Sequence, residues 1–393
     1  MKQTHVILRA TTRSRTTRPG DPTAGPREET TGIDVEIDTL DTSDIARVTR
    51  HRDVLAVAPA IPMKLIEPVP LPGAQPAAAG VDWGVHAVGA DTSPFTGDGA
   101  VVAVLDTGID SAHPAFTGVS LVRQNFTDDA DGNDLHGHGT HCAGTIFGRD
   151  VENTRIGVAR GVKKALIGKV LGAGGGGSDQ IVRAIQWAVN EGAHVISMSL
   201  GMDFPGFQRR LVEQLGFPPE LATSRALEGY RANVLLFERL AATVKSIGDF
   251  GTSTILVAAA GNESQTEVNP DFKIWVSPPA VSDGIVSVAA LGQGASGLGV
   301  ASFSNTGAAV AGPGVQITSA RRGGGLVAMS GTSMATPHVA GVAALWAQKL
   351  QSTGALTTGL LAARVVGSGA TTALAPGFDP ADVGSGLVAA PQN

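Results

Sequence analysis

The sequence predicts an α/β protein whose mostly parallel central sheet is covered by helices on both faces. Short apolar runs rich in Val, Ile and Ala recur along the chain, as is typical of strands buried in a parallel sheet. Longer runs with helical character lie between them, as the connections between parallel strands require. The 52 glycines fit a compact protein that is rich in loops.

The strands and helices of this sheet alternate from residue 101 onward. We predict buried strands at 101–105, 165–170, 194–198, 254–259 and 285–290. We predict helices at 139–147, 178–190, 233–247 and 332–349. The order of these elements favours right-handed crossovers between parallel strands.

The first 80 residues differ in character from the rest. They carry 10 Lys and Arg against 10 Asp and Glu and have no aromatic residue, so the whole net charge of -6 belongs to the remainder. Their pattern predicts a small α+β unit, with a helix at 43–51 capped by Ser43 and strands at 5–9, 33–37, 54–58 and 63–66.

The chain therefore divides into an N-terminal domain at 1–67, a Pro- and Ala-rich linker at 68–80 and a large domain at 81–393. Within the first domain, the stretch 11–31 is rich in Thr, Arg, Pro and Gly and predicts a flexible loop.

A small hydroxyl residue, Ser333, lies at the start of the predicted helix 332–349. Unpaired backbone N–H groups at a helix N-terminus favour negative charge, such as a developing oxyanion. Ser and Thr are also the preferred helix caps, so a plain cap is the alternative. The interpretation of Ser333 as a nucleophile therefore depends on partners elsewhere in the sequence.

Two such partners are present. Asp106 ends the apolar run 101–105, at the carboxyl edge where open α/β sheets place their sites. His138 stands among glycines directly before a predicted helix of small residues. A serine hydroxyl needs a general base near neutral pH, and the ordinary pKa of histidine suits that task.

These motifs resemble those of the subtilisin-like serine proteases of the Asp-His-Ser type, the S8 peptidases. Asp106 stands in Val-Leu-Asp-Thr-Gly-Ile-Asp, His138 in His-Gly-Thr-His-Cys-Ala-Gly-Thr and Ser333 in Ser-Gly-Thr-Ser-Met-Ala-Thr-Pro-His. A fourth match is Asn262, in Val-Ala-Ala-Ala-Gly-Asn-Glu. The resemblance covers the chain from about Trp83 to the C-terminus and implies the subtilisin-like three-layer fold.

The resemblance also implies the role of each residue. Ser333 attacks the carbonyl, His138 transfers the proton, and Asp106 orients the imidazole. The side chain of Asn262 and the Ser333 N–H form the oxyanion hole. The chain is thus expected to be a serine endopeptidase that forms an acyl-enzyme and needs no cofactor for the chemistry.

Substrate binding and maturation are also implied by the resemblance. Ser199, Leu200 and Gly201 are expected to pair with an extended peptide, and Leu200-Gly201 with Ala260-Gly261 to form two walls of a pocket for an apolar or aromatic side chain. Residues 1–67 resemble a propeptide, that is, an intramolecular inhibitor whose tail enters the cleft. The protein is then made as a self-processing zymogen.

Other interpretations of single residues stay open. Cys142 is an alternative nucleophile, although the resemblance implies a buried packing residue. His136, His138 and His141 are alternative zinc ligands, and His338 is either a satisfied helix histidine or a catalytic one. The glycine-rich stretches 172–177 and 323–325 match no nucleotide-binding motif.

A calcium site is predicted in the loop before His138. Oxygen-bearing side chains crowd this loop, as a hard cation prefers, and related proteases hold calcium there. A solvated acidic turn is the alternative. The predicted ligands are Asp128, Asp129, Asp131, Asn133 and Asp134.

Composition narrows the possible partners. Charged residues make up only 16% of the chain and no basic tract is present, which argues against nucleic-acid binding. The single cysteine excludes an intramolecular disulfide, and no apolar run reaches the roughly 20 residues of a membrane span. We expect a monomer whose partners are peptides or proteins.

The location of the protein is predicted from residues 1–19. They lack the apolar stretch of a secretory signal. They are basic and rich in Thr and Ser, like organelle transit peptides, but the strand pattern at 6–8 argues against that class. We therefore expect a cytoplasmic protein.

The main departure from the family pattern is an insertion at about 202–250, directly after the expected substrate strand. It either narrows the cleft or binds a partner, or it is a helical pair that only packs on the body.

For the whole chain, the alternatives to a protease are an inactive protease-fold binding protein and an esterase. The sequence lacks the Gly-x-Ser-x-Gly motif that is expected of the esterase fold.

Overall fold

The computed structural model describes residues 2–15, 27–70, 79–248 and 251–393. The strands are β1 Gln3–Arg15, β2 Arg27–Leu40, β3 Val54–Pro59, β4 Pro62–Leu65, β5 Gly80–Val81, β6 Val101–Asp106, β7 Ser120–Asn125, β8 Thr154–Arg155, β9 Lys164–Lys169, β10 Gly176–Gly177, β11 Val195–Met198, β12 Leu200–Met202, β13 Ile255–Ala259, β14 Ile285–Gly294, β15 Gly297–Val300, β16 Val310–Pro313, β17 Ile317–Ala320 and β18 Leu326–Met329. The helices are α1 Thr42–Val48, α2 Trp83–Ala87, α3 His138–Phe147, α4 Ser178–Asn190, α5 Phe204–Glu213, α6 Pro219–Gly248, α7 Thr332–Ser352, α8 Thr358–Gly367 and α9 Pro380–Val383.

The centre of the molecule is a sheet with the strand order β15-β14-β13-β11-β6-β9-β7, in which β16 also pairs with β14. Its pairings are parallel except for the antiparallel pair β14–β15. Every residue of β11 and β13 is buried, which requires cover on both faces of the sheet. Helix α3 packs against α7, and α4 packs against α6. The predicted α/β class is confirmed.

The insertion at 202–250 folds into two helices, α5 and α6. The helix predicted at 233–247 is the second half of α6, which begins earlier, at Pro219. Proline suits the first turn of a helix, and Glu220 is favourable beside the positive end of the helix dipole. Among the helices that the structure describes, none is long and apolar enough to cross a membrane.

The N-terminal residues form an antiparallel sheet with the order β2-β1-β3. The β1–β2 pairing runs as far as Arg15 opposite Arg27, so the flexible loop expected at 11–31 is too long. Its central residues, 16–26, lie outside the described part. The paired strands continue the ladder beyond the apolar residues, because backbone hydrogen bonds need no apolar side chain.

The first helix, α1, is capped by Asp41 and not by Ser43 as predicted. The Asp41 carboxylate accepts hydrogen bonds from the backbone N–H groups of Ser43 and Asp44, at 2.9 and 3.0 Å. The Asp44 side chain accepts the Asp41 N–H in return, which completes a capping box. A cap must precede the free N–H groups that it satisfies, and Ser43 supplies one of them.

Helices α4 and α6 contact the N-terminal residues. Gln186 on α4 donates its side-chain amide to the Ile33 carbonyl at 2.6 Å, and Asn233 on α6 donates to the Pro59 carbonyl at 2.9 Å. A side chain at Gly229 would lie 2.8 Å from the Ile61 side chain, so glycine permits the close approach of α6. The insertion therefore does more than pack on the body, because α6 also contacts the N-terminal residues.

Candidate active site

Three side chains meet at the carboxyl edge of the central sheet. Asp106 is the last residue of β6, His138 is the first residue of α3, and Ser333 is the second residue of α7. The end of a parallel strand and the starts of two helices share this edge, which is where open α/β sheets bind ligands. The sequence motifs thus converge in space.

His138 and Asp106 form a buried pair. His138 Nδ1 lies 2.8 Å from Asp106 Oδ1, and the two side chains are 0% and 1% exposed. Burial by itself lowers the pKa of His138, but the Asp106 charge opposes it and the pKa is raised well above its ordinary value. Held by Asp106 at Nδ1, the ring directs Nε2 to the other side, as a general base requires.

The Ser333 hydroxyl faces a segment of the N-terminal region. Its Oγ donates a hydrogen bond of 2.9 Å to the Ile66 carbonyl oxygen. Among the described residues, none forms a hydrogen bond with His138 Nε2. The serine is therefore directed at the peptide group of Ile66 and not at the histidine.

The Asn262 amide lies against Thr332, the residue before Ser333. Its Nδ2 donates to the Glu67 carbonyl at 2.9 Å. Its Oδ1 accepts from the backbone N–H and the hydroxyl of Thr332, at 2.9 and 2.8 Å. These two bonds turn the NH₂ group toward the cleft. Thr332 directly precedes Ser333, but its sequence motif did not predict this positioning role.

The peptide segment in the cleft is β4, which lies antiparallel between β10 and β12. Lys64 is paired with Gly201 and Leu65 with Leu200, which are two of the residues expected to pair with an extended peptide. On the other side, Met63 is paired with Gly176. The glycine-rich stretch 172–177 thus includes one wall of the peptide cleft, which the sequence analysis missed.

Ile66 follows β4 and is 3% exposed. Its side-chain carbons lie 3.5 and 3.6 Å from the position of a Cβ atom built on Gly201, so the Ile66 side chain packs in van der Waals contact with Gly201. Ala260 is buried, and its carbonyl accepts the N–H of Ser277, whose Oγ lies 3.2 Å from the same Cβ position. Ser199 lies beneath the nucleophile, where its Oγ donates to the Ser333 carbonyl at 3.2 Å.

Beyond Ile66 the segment stays at the cleft. The Val69 N–H donates to the Ser330 carbonyl at 2.7 Å. Glu67 lies 3.4 Å from the imidazole of His136, which is partly exposed. The bound segment thus extends on both sides of Ser333, and Ser330 is a contact residue that the motifs did not reveal.

The other histidines do not assemble a metal site. His141 Nε2 lies 3.0 Å from the Ile317 carbonyl, and burial lowers the pKa of His141 to about 3, so the ring is neutral. His338 Nδ1 lies 2.8 Å from the Met334 carbonyl, and burial lowers the pKa of His338 to about 4. Both are helix histidines bonded to the backbone, while His136 points to Glu67.

Cys142 is buried one helical turn after His138. Its Sγ lies 3.8 Å from His138 Nδ1 and 3.4 Å from the Ser333 carbonyl oxygen. Burial raises the pKa of the Cys142 thiol, which keeps it protonated. Within the described ranges, Asp106, His138 and Cys142 are the one group of ionisable residues with ligand atoms within 4.8 Å of each other. Cys142 thus packs between His138 and the Ser333 backbone.

The predicted calcium ligands bind other groups. Both oxygens of Asp134 accept hydrogen bonds from the start of α3, including the Gly137 N–H at 2.7 Å and the Thr140 hydroxyl at 2.6 Å. The Lys169 ammonium lies 2.8 Å from Asp129 Oδ2 and donates to the Asn133 carbonyl at 2.8 Å. This arrangement does not fit the predicted calcium site, because a buried lysine already supplies the positive charge.

The remaining members of the predicted calcium set do not converge either. Asp131 accepts from the backbone and side-chain nitrogens of Asn133, at 2.9 and 2.8 Å. Asp128 belongs to none of the ligand groups within the described residues. The sequence showed the acidic loop but not its contact with Lys169. The available signal was the position of this lysine near the end of the apolar run 165–170.

The chain order Asp, His, Ser on a parallel sheet, with a helix-start serine, defines a class of serine peptidases. The sequence model of the S8 peptidase, or subtilase, family matches residues 97–373. The chain therefore belongs to the subtilase family.

Individual relatives agree with this family. Alkaline serine exoprotease A of Vibrio alginolyticus is 38% identical over 265 residues, which cover 66% of this chain and 40% of the relative. M-protease of Shouchella clausii is 37% identical over 281 residues, 69% of this chain and 61% of the relative. Subtilisin-like protease 6 of Arthroderma benhamiae is 34% identical over 276 residues, 67% of this chain and 57% of the relative. The matched region thus spans about half of the relatives' length.

Proposed function

We propose that the protein is a serine endopeptidase that hydrolyses peptide bonds through an acyl-enzyme. One observation carries the proposal: an extended peptide strand is seated in the cleft with a carbonyl oxygen 2.9 Å from the Ser333 hydroxyl. The buried Asp106–His138 pair beside this hydroxyl supplies the base that a serine nucleophile needs.

In the reaction, His138 Nε2 takes the Ser333 proton as Oγ attacks the carbonyl carbon. The imidazolium then gives this proton to the leaving amine, and water releases the acyl group by the same steps in reverse order. Asp106 holds the ring and stabilises its charged form. The oxyanion is stabilised by Asn262 Nδ2 and the Ser333 N–H, and one such donor contributes about 3 to 4 kcal/mol to the transition state.

Substrates bind as an added strand between β10 and β12. Main-chain hydrogen bonds to such edges supply affinity without regard to sequence, and pockets select the side chains. Leu200-Gly201 and Ala260-Gly261 line the primary pocket. Because Ile66 lies against Gly201, we propose that apolar side chains fill this pocket in substrates.

We further propose that the chain is a monomeric zymogen in which residues 1–67 inhibit the cleft until the chain cuts itself. The bond that is cut is Ile66–Glu67. Two contacts and the sequence support this choice: Ser333 reaches the Ile66 carbonyl, the Ile66 side chain lies at the pocket wall, and the next bond precedes Pro68. Asn262 holds the adjacent Glu67 carbonyl, so a shift of the segment must precede attack.

The test is a peptide-hydrolysis assay combined with covalent labelling by a fluorophosphonate. The native chain is expected to hydrolyse casein and to be labelled, and Ser333→Ala to do neither. Labelling without hydrolysis would favour an esterase. A native chain that is neither labelled nor active, before or after mild protease treatment of its N-terminal region, would mean a protease-fold binding protein.

A further inference from the structure

Lys64 lies in the cleft strand and points its ammonium at two carboxylates of the large domain. Its Nζ is 3.4 Å from Glu263 Oε1 and 3.9 Å from Asp203 Oδ1. The three side chains are between 31% and 42% exposed, so this is a cluster at the rim of the cleft. Neither acid takes part in the catalytic triad.

The Glu263 carboxylate is held in place by groups other than Lys64. Asn305 Nδ2 donates to Glu263 Oε2 at 2.8 Å, while Asn305 Oδ1 accepts the Glu263 N–H at 3.0 Å. One carboxylate oxygen is therefore fixed, and the other faces the cleft strand. A charge that is already oriented loses little conformational entropy when it binds a cation.

Asp203 is fixed by the insertion and by the bound strand. Its Oδ1 accepts the Gly206 N–H at 3.2 Å and caps α5, and its own N–H donates to the Pro62 carbonyl at 3.0 Å. The insertion thus begins at a residue that contacts the bound peptide through both its backbone and its charge.

We propose that Asp203 and Glu263 form a subsite that selects a cationic side chain, Lys or Arg, two residues before the one in the primary pocket. This inference rests on the proposed function, because it assumes that substrates bind in the register of β4. Such a subsite makes the peptidase prefer substrates that have an apolar residue directly before the cleaved bond and a basic residue two positions before that apolar residue.

The size of the preference follows from the exposure of the cluster. Two exposed ion pairs together correspond to a preference of about 2- to 30-fold. Salt screens exposed charges, so the preference is expected to shrink as ionic strength rises. An apolar contact of the lysine stem would not respond to salt in this way.

The test uses internally quenched peptides with the sequence of residues 62–69, carrying Lys, norleucine or Glu at the position of Lys64. Norleucine keeps the apolar stem and removes the charge. The full chain is activated, and its active sites are counted by fluorophosphonate titration of a separate sample. We expect kcat/KM to be about 2- to 30-fold higher for the Lys peptide than for the norleucine peptide, and lowest for the Glu peptide.

Two variants assign the preference to the carboxylates. In the double variant Asp203→Asn, Glu263→Gln, the Lys-to-norleucine ratio is expected to fall to about 1; Asn keeps the helix cap. Glu267→Gln removes an exposed charge from the same loop and is expected to keep the ratio of the native chain. Equal ratios in the native chain and the double variant would overturn the subsite.

The proposal and the proposed function fail in different ways. If the subsite is absent but the enzyme is active, the Lys and norleucine peptides are cut at the same rate. If the chain is not a peptidase, no peptide is cut, whether or not the fluorophosphonate labels Ser333. If all peptides are cut at a bond other than Ile–Glu, as read by mass spectrometry, the assumed register is wrong and the subsite with it.

Discussion

The Ser333 hydroxyl donates a 2.9 Å hydrogen bond to the Ile66 carbonyl oxygen, and through it the catalytic edge of the sheet is joined to the N-terminal region. While this bond is made, the hydroxyl proton is not available to His138. We therefore interpret the described state as a resting one. Movement of the segment after Ile66 has to free the hydroxyl before His138 can take its proton.

Replacement of Asn262 by alanine tests the oxyanion donor. We expect Asn262→Ala to lower kcat by about 10²- to 10³-fold with little change in KM, because the donor acts mainly in the transition state. Steady-state kinetics with a peptide substrate measure this. Asn269→Ala, on an exposed loop, serves as the control and is expected to keep native rates. An Asn262→Ala variant with native kcat would remove Asn262 from the oxyanion hole.

The dependence of activity on pH tests the His138–Asp106 pair. His138 must be neutral to accept a proton, and its pKa is raised, so activity is lost as pH falls through a value above 6.5, its ordinary value. We expect the acid limb of kcat/KM to have its midpoint above 6.5. His136→Gln removes the exposed neighbour and is expected to leave that midpoint in place. An acid limb centred at or below 6.5 in the native chain would contradict the raised pKa.

Lys169 tests whether an internal cation holds the loop before His138. Its side chain is 2% exposed and bridges Asp129 and the Asn133 carbonyl. Lys169→Met leaves these oxygens without their donor, which costs about 1 to 3 kcal/mol of unfolding free energy. Chemical denaturation measures the loss.

Lys163→Met is the matched control, because that lysine is 73% exposed and pairs at the surface with Asp98. We expect a change of less than about 0.5 kcal/mol for it. A chelator should not alter the contribution of Lys169. Equal stability of Lys169→Met and Lys163→Met would contradict a structural role for the buried ammonium.

Gly229 tests the contact between α6 and the N-terminal region. A valine there would overlap Ile61, so Gly229→Val is expected to loosen the N-terminal region and to speed fluorophosphonate labelling of Ser333 in the intact chain. Ser224→Val, on an exposed face of the same helix, should label at the native rate. Unchanged labelling of Gly229→Val with a native melting curve would mean that this contact does not hold the inhibitory segment.

The sequence predicted the parallel sheet and the element ends at which Asp106, His138 and Ser333 lie, because both follow from local signals. An apolar run that ends in Asp106 is a buried strand whatever lies beside it, and a helix that starts at Ser333 follows from its composition. Their meeting at one edge follows from the topology of parallel sheets.

Contacts between residues distant in sequence were harder to predict. The calcium prediction rested on the acidic residues of 128–134 and lacked Lys169, a residue of another strand that pairs with Asp129. The glycines of β10 gave no sign of pairing with β4, since pairing depends on backbone position and not on side chains. The cap of α1 moved by two residues because Asp and Ser are about equally good caps.

The most direct test of the account is intact-mass analysis of the native chain and of Ser333→Ala during expression and storage. We predict that the native chain is cut at Ile66–Glu67, giving a fragment that begins at Glu67, while Ser333→Ala stays whole. The contradictory result is a native chain that remains whole although Ser333 reacts with fluorophosphonate, or cleavage at the same bond in Ser333→Ala.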